Sequence, residues 1–143
     1  MLLRGINHAV LKVRSLDASD QFYREVLGME RVGERGRMWF YTAGAHHHDL
    51  ALVEVGAGAT VPGPRHTGLF HLCFDVADAN ALRELHTRMK QAGVRVSEGV
   101  DHGIMRSFYT QDPDGNMIEF GFDVPQSEWK HEQPYASDRA FEI

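Results

Sequence analysis

The chain has 143 residues, enough for one domain, and a net charge of −5, which excludes the basic footprint of a nucleic-acid-binding surface. Its single cysteine, Cys73, excludes an intrachain disulfide, and no stretch approaches the roughly 20 apolar residues of a membrane helix. The N-terminus lacks the long apolar run of a signal peptide, so a cytoplasmic protein with no nucleic-acid or membrane partner is expected.

The first expected element is a strand over 6–13 (INHAVLKV), with His8, Val10 and Lys12 on one face and Ala9, Leu11 and Val13 on the other. The segment SLDASDQFYREVLGM follows. Phe22 with Val26 and Tyr23 with Leu27 are four apart, which predicts a helix, and Gly28 suits its C-terminal cap. Strands are expected around 30–34, 37–42 and 49–55. The Gly- and Pro-rich GAGATVPGPRHTG then reads as a linker.

The order repeats. GLFHLCFDV (68–76) predicts a strand, with Leu72, Phe74 and Val76 toward a helix and His71, Cys73 and Asp75 on the opposite face. DANALRELHTRMKQAG predicts a helix with Leu82, Leu85 and Met89 on its buried stripe and Gly93 at its end. Strands are expected in VRVSEG, RSFYTQD and NMIEFGF, with DPDG as a turn before the last. His8 and His71 are 63 residues apart and Gly28 and Gly93 are 65 apart, so two βαβββ modules account for both offsets. The expectation is an α+β fold forming one domain over 1–124, with module one at 1–60, module two at 66–124 and a tail at 125–143. Each module supplies a four-stranded sheet with a helix on its back, and the two sheets pair around a cleft.

Polar side chains on inward strand faces need a reason. His8, His71 and Glu119 occupy matching strand contexts in INHAVLKV, FHLCFDV and DPDGNMIEF. Two imidazoles and one carboxylate are the ligand set that holds non-heme Fe(II) with open positions. His48, His102 and Tyr109 are candidate acid–base groups beside such an ion. Each also has a plainer reading: His46–His48 as a solvated loop, His102 as a turn residue between Asp101 and Gly103, and Tyr109 as a strand aromatic. Cys73 shares a face with His71 and suits packing. Trp39 and Phe40 belong to the first module's sheet. Trp129, Tyr135 and Phe141 in the tail could cover a pocket or an interface, or pack on the tail's own surface.

Over residues 5–124 the sequence resembles the vicinal-oxygen-chelate superfamily, which holds glyoxalase I, the bleomycin- and fosfomycin-resistance proteins and the extradiol ring-cleaving dioxygenases. The paired histidine strands and the DPDGNMIEF ending carry the resemblance. It implies paired βαβββ modules with a divalent metal between them. Within the superfamily the chain is most similar to the extradiol branch: His48 matches in HDLALV, His102 in DHGIMRSFY, and Tyr109 stands ten residues before Glu119. The resemblance implies that His48 works on the oxygen side and that His102 and Tyr109 bond the substrate's oxygens. Glyoxalase I takes a fourth ligand, a glutamate, from the last strand of module one. The nearest position here is Leu52, and Glu54 lies two residues on. Most extradiol enzymes of this type carry a second, non-catalytic pair of modules, and the 143 residues here are expected to hold one pair. The expected activity is insertion of both atoms of O2 into a catecholic aromatic, with Fe(II) as cofactor, Mn(II) as the alternative metal, and a homo-oligomer, dimer or higher, by resemblance. The competing readings are a glyoxalase-like isomerase, a fosfomycin-type thiol transferase, or a non-catalytic small-molecule-binding resistance protein.

Overall fold

The computed structural model describes residues 2–129 and 138–143. The chain divides into two compact units, Met1–Pro64 and Arg65–Ile143, each carrying one mixed sheet, and the predicted α+β class holds. No helix among the described residues is long and apolar enough to cross a membrane.

The first unit contains β1 (Ala9–Val13), α1 (Leu16–Asp20), a π-helical turn (Gln21–Val26), β2 (Glu30–Arg35), β3 (Met38–Thr42) and β4 (Leu50–Glu54). The strand order is β1-β4-β3-β2, with β1 parallel to β4 and the other pairs antiparallel. Alternation along β1 is as expected: Leu11 and Val13 are buried and Val10 and Lys12 exposed. The expected single helix is instead one α turn that widens. Ser15 caps it by accepting from the Ala18 amide, a contact typically worth about 1 kcal/mol. The Leu27 amide then donates to the Phe22 carbonyl, five residues back. Adjacent residues on an α-helix lie about 100° apart. The wider turn accommodates Phe22 and the neighbouring Tyr23 inside together, both buried. Asp20, also buried, accepts from the Tyr41 hydroxyl at 2.9 Å and from Arg24 Nε at 2.9 Å, tying the helix to β3. Gly28 ends the segment at φ +80°, a conformation that favours glycine.

The second unit contains β5 (Leu72–Asp75), α2 (Ala79–Gln91), β6 (Gly99–Asp101), β7 (Met105–Gln111), β8 (Met117–Asp123), a 3-10 turn (Gln126–Glu128) and β9 (Arg139–Phe141). Its order is β5-β8-β7-β6-β9. The sheet thus has five strands, because the segment after 125 returns to pair with β6. The strand expected over 94–99 is reduced to a bridge from Val96 to Thr110, and ladder pairing starts only at Gly99. Side chains supplement the remaining backbone bond from the Ser97 amide to the Tyr109 carbonyl: Ser97 Oγ accepts from the Tyr109 amide at 2.9 Å and Thr110 Oγ1 donates to the Arg95 carbonyl at 2.7 Å.

Asp78 caps α2 by accepting from the amides of Asn80 and Ala81. The buried stripe of α2 is Leu82, His86 and Met89, whereas Leu85 sits half-buried at its border. His86 takes the inward place because its Nε2 reaches the Ser97 carbonyl at 3.1 Å while its ring meets Phe108 edge-on. Beneath it Phe108, Phe120 and Phe74 form a continuous aromatic layer, with centroid spacings of 5.4 and 5.7 Å. Such pairs contribute about 0.5–1.5 kcal/mol each beyond their buried area. In the tail, Trp129 donates from Nε1 to the Val124 carbonyl and Phe141 lies under the Arg106 guanidinium, so both pack on their own unit; Tyr135 lies outside the described residues.

Candidate metal and acid–base centre

The second unit's site starts from a turn. Asp112 is buried, and its carboxylate accepts from the Asp114 amide and from both the amide and side chain of Asn116 at 2.8–2.9 Å. This closes DPDGN, with Gly115 at φ +84°, and fixes where β8 begins. Register then sets the row. Glu119 pairs with Cys73 on β5 and with Tyr109 on β7, so three side chains line up on the face opposite α2.

Glu119 is 4% exposed, and burying a carboxylate is costly unless it is paired. His71, the residue just before β5, brings Nε2 to 3.1 Å from Glu119 Oε2. His102, in the turn after β6, brings Nε2 to 3.5 Å from Oε1, a long contact that leaves Oε1 without a hydrogen-bond partner among the described residues. The same His102 Nε2 lies 3.1 Å from Ser107 Oγ and 3.2 Å from the Tyr109 hydroxyl. On its other edge, Nδ1 meets Asp138 Oδ1 at 2.7 Å. His71 Nδ1 is buried with no hydrogen-bond partner among the described residues. Burial, then the Glu119 carboxylate, push the Tyr109 hydroxyl up to about 12, so it keeps its proton at neutral pH. Desolvation by the surrounding sheet and the Glu119 charge push the Cys73 thiol up to about 12 as well, so it stays a thiol although its surface is exposed.

The first unit holds a second cluster. His8, directly before β1, packs its ring on His48 at 4.5 Å, and His48 also meets Phe40 at 5.1 Å and His47 at 4.4 Å. Asp49 organises the loop, accepting from the Ala43 amide, from Thr42 Oγ1 and from His46 Nδ1. Burial works to raise the Asp49 pKa, but these bonds together hold it below the usual carboxylate range. Desolvation, then the neighbouring His47 and His8, lower the His48 pKa and favour its neutral form.

The six candidate residues therefore fall into two groups: His71, His102, Tyr109 and Glu119 in the second unit, His8 and His48 in the first. Among the described residues no three His, Cys, Asp or Glu side chains are grouped so as to hold a metal by themselves. The His71–Glu119 pair nevertheless fits part of such a site. The pair places an imidazole nitrogen beside a carboxylate oxygen at 3.1 Å, two of the donor types that would hold a divalent ion of this kind. The unpartnered Glu119 Oε1 leaves a further lone pair to be satisfied. Ser107 and Asp138 were not among the expected site residues. Ser107 could have been found by alternation, two residues from Tyr109 on the same strand face. Asp138 follows no periodic pattern.

Register also identifies the first unit's counterpart of Glu119. Cys73 pairs with Glu119 where Val10 pairs with Ala51, and Tyr109 pairs with Glu119 where Phe40 pairs with Ala51. The matching position is thus Ala51, not Leu52 as the resemblance to glyoxalase I implied. Leu52 is fully buried on the helix side with Leu11, and Glu54 gives its oxygens to the Leu16 amide and to Arg37 at 3.0 Å each.

A sequence model of the "Glyoxalase/Bleomycin resistance protein/Dioxygenase superfamily" matches residues 5–120. The chain is 33% identical over 137 residues to a biphenyl-2,3-diol 1,2-dioxygenase from Rhodococcus globerulus, covering 92% of this chain and 72% of that protein. It is 33% identical over 128 residues to a catechol-2,3-dioxygenase from Bacillus subtilis, covering 90% of this chain but only 45% of that protein. Among solved structures, a lactoylglutathione lyase from Agrobacterium tumefaciens superposes with a TM-score of 0.66 at 30% identity, covering 85% of this chain and 96% of that one.

Proposed function

The chain belongs to the Glyoxalase/Bleomycin resistance protein/Dioxygenase superfamily, and we propose that within it this protein is an extradiol ring-cleaving dioxygenase acting on a catecholic aromatic and O2. The observation that carries the reading is the second unit's polar row, in which buried Glu119 adjoins His71, His102 and Tyr109. The dioxygenase relatives named above support it. Ala51 supports it against a glyoxalase-I-like set, because the first unit has no carboxylate at the place matching Glu119. A thiol transferase or isomerase would not need His48, His102 and Tyr109 together.

In this reading His8, His71 and Glu119 hold one divalent ion, Fe(II) or alternatively Mn(II). The ion supplies Lewis acidity toward the catechol's vicinal hydroxyls and the redox link to O2 when bound. The remaining chemistry belongs to the protein. Tyr109 keeps its proton because burial, then the adjoining Glu119 carboxylate, raises its pKa, so its hydroxyl donates to a catechol oxygen rather than competing with it as an anion. His102 Nε2, 3.2 Å from the Tyr109 hydroxyl, accepts the proton that the catechol releases on binding. His48 is neutral at neutral pH, so it can take a proton and return it on the oxygen side.

The deciding experiment is anaerobic reconstitution with Fe(II), followed by oxygen uptake across a panel of catechols. One or more should consume oxygen and give a conjugated, visibly absorbing semialdehyde or keto acid. No oxygen uptake from a broad panel by fully loaded protein would sink the dioxygenase reading and favour its isomerase, transferase or binding-protein relatives.

A further inference from the structure

We propose that Asp138 is a positioning residue for His102, which makes strand β9 part of the candidate site. The inference rests on the acid–base role given to His102 above. Its starting point is register. β6 and β9 pair Gly99 with Phe141, Val100 with Ala140 and Asp101 with Arg139, and the same antiparallel register carried one residue on sets Asp138 opposite His102. The result is the 2.7 Å contact between Asp138 Oδ1 and His102 Nδ1, within the range of charge-assisted hydrogen bonds.

The place of β9 is built rather than incidental. A Cβ at Gly99 would collide with the Phe141 carbonyl and the Ile143 side chain, so the strand seats only where that residue is glycine. Arg106 lies 5.2 Å over the Phe141 ring and holds Asp101 at 3.3 Å, pinning β9 and β6 from one side chain.

The contact is not needed to fold the turn. The His102 amide already donates to the Met105 carbonyl at 2.9 Å, and the Gly103 amide to Asp101 Oδ1 at 2.8 Å. Nor does it add much stability, because Asp138 is 70% exposed and surface pairs are worth little. What it can set is which ring nitrogen carries the proton. A neutral histidine side chain left to itself favours its proton on Nε2. Asp138 opposes it by accepting from Nδ1–H, which leaves the Nε2 lone pair free for the Tyr109 hydroxyl or the substrate. Without Asp138 the balance tips to Nε2–H. Its Nε2 then carries the hydrogen and can no longer accept a proton from the Tyr109 hydroxyl or the substrate.

The test is the long-range proton–nitrogen NMR spectrum of the histidine rings in the full, metal-free chain, with His102→Gln to assign the signal. In the neutral form, wild-type His102 should carry its proton on Nδ1. Asp138→Ala should move it to Nε2, and Asp138→Asn, whose amide oxygen still accepts, should hold it largely on Nδ1. In Fe(II)-loaded protein, Asp138→Ala should lower kcat about 10–100-fold with metal content unchanged, and Asp138→Asn should recover most of that loss. A proton that stays on Nδ1 in Asp138→Ala overturns the proposal, as does wild-type turnover in that variant. If no catechol is turned over even by wild-type protein, the dioxygenase reading fails by itself, and the NMR result alone decides the role of Asp138.

Discussion

The two sheets share one plan and differ in one row. In the first unit, Val10, Ala51 and Phe40 stand side by side across β1, β4 and β3. In the second, the same three places hold Cys73, Glu119 and Tyr109. The backbone pairing is common to both, a parallel pair followed by an antiparallel one, and each module has a histidine just before its first strand. The scaffold therefore does not dictate the chemistry. Ala51 and Phe40 offer neither charge nor hydroxyl, and the first unit's candidate polar groups, His8 and His48, stand ahead of β1 and β4 instead.

The largest effect should come from erasing that difference at its centre. Glu119→Ala gives the second row the first row's residue, and purified protein should lose most of its metal while its far-ultraviolet spectrum stays unchanged. Elemental analysis reads this directly, and full metal occupancy would remove Glu119 from the ligand set. Tyr109→Phe copies Phe40 into the second row. Metal content should hold while kcat falls by about 10²-fold or more, within the usual worth of an acid–base group; unchanged turnover would make Tyr109 a packing aromatic only. His48→Asn tests the first unit's contribution. Iron content and catechol affinity should stay near wild type while turnover falls at least about tenfold. Lost iron would instead make His48 a ligand and put His8 or His71 in doubt.

The smallest effect concerns pH. Because the folded-state pKa of His48 is lowered, the folded chain binds fewer protons there than the unfolded chain. The associated stability is fully present above the unfolded value of about 6.5 and is lost as pH falls through the folded value. An NMR titration should place the His48 midpoint below about 6.5, and His47→Ala should move it part of the way back up, since His47 is one of the charges that lowers it. A midpoint at or above that value would show that the loop around His48 is fully solvated.

Periodicity made the repeat legible. β1, α2 and β8 lie where alternation, helical spacing and the DPDG turn set them, and the face shared by His71 and Cys73 could be read before any contact was known. Three features could not be read that way. The π turn follows from two adjacent aromatics, Phe22 and Tyr23, both finding the interior, which is a tertiary event. The short β6 follows from Ser97 and Thr110 side chains supplementing bonds that backbone spacing alone assigns to a strand. Asp138 reaches His102 through a pairing 36 residues apart in sequence, in a segment with no alternation to announce it. Of the candidate site, residue types and strand context were visible. The Ser107–His102–Asp138 chain of contacts was not, because it depends on strand register.

The Asp112 turn is also a ruler. With its buried carboxylate closed on Asp114 and Asn116, it fixes the count of residues from the turn to Glu119. A strand reverses its faces with every residue added or removed. One residue inserted after Asn116 would swing the carboxylate in among the phenylalanines beneath α2 and present an apolar side chain in its place. This stretch of the gene should therefore accept many changes of letter and almost no change of length, and a scan of single-codon insertions should show the sharpest fall in metal content between Asn116 and Glu119.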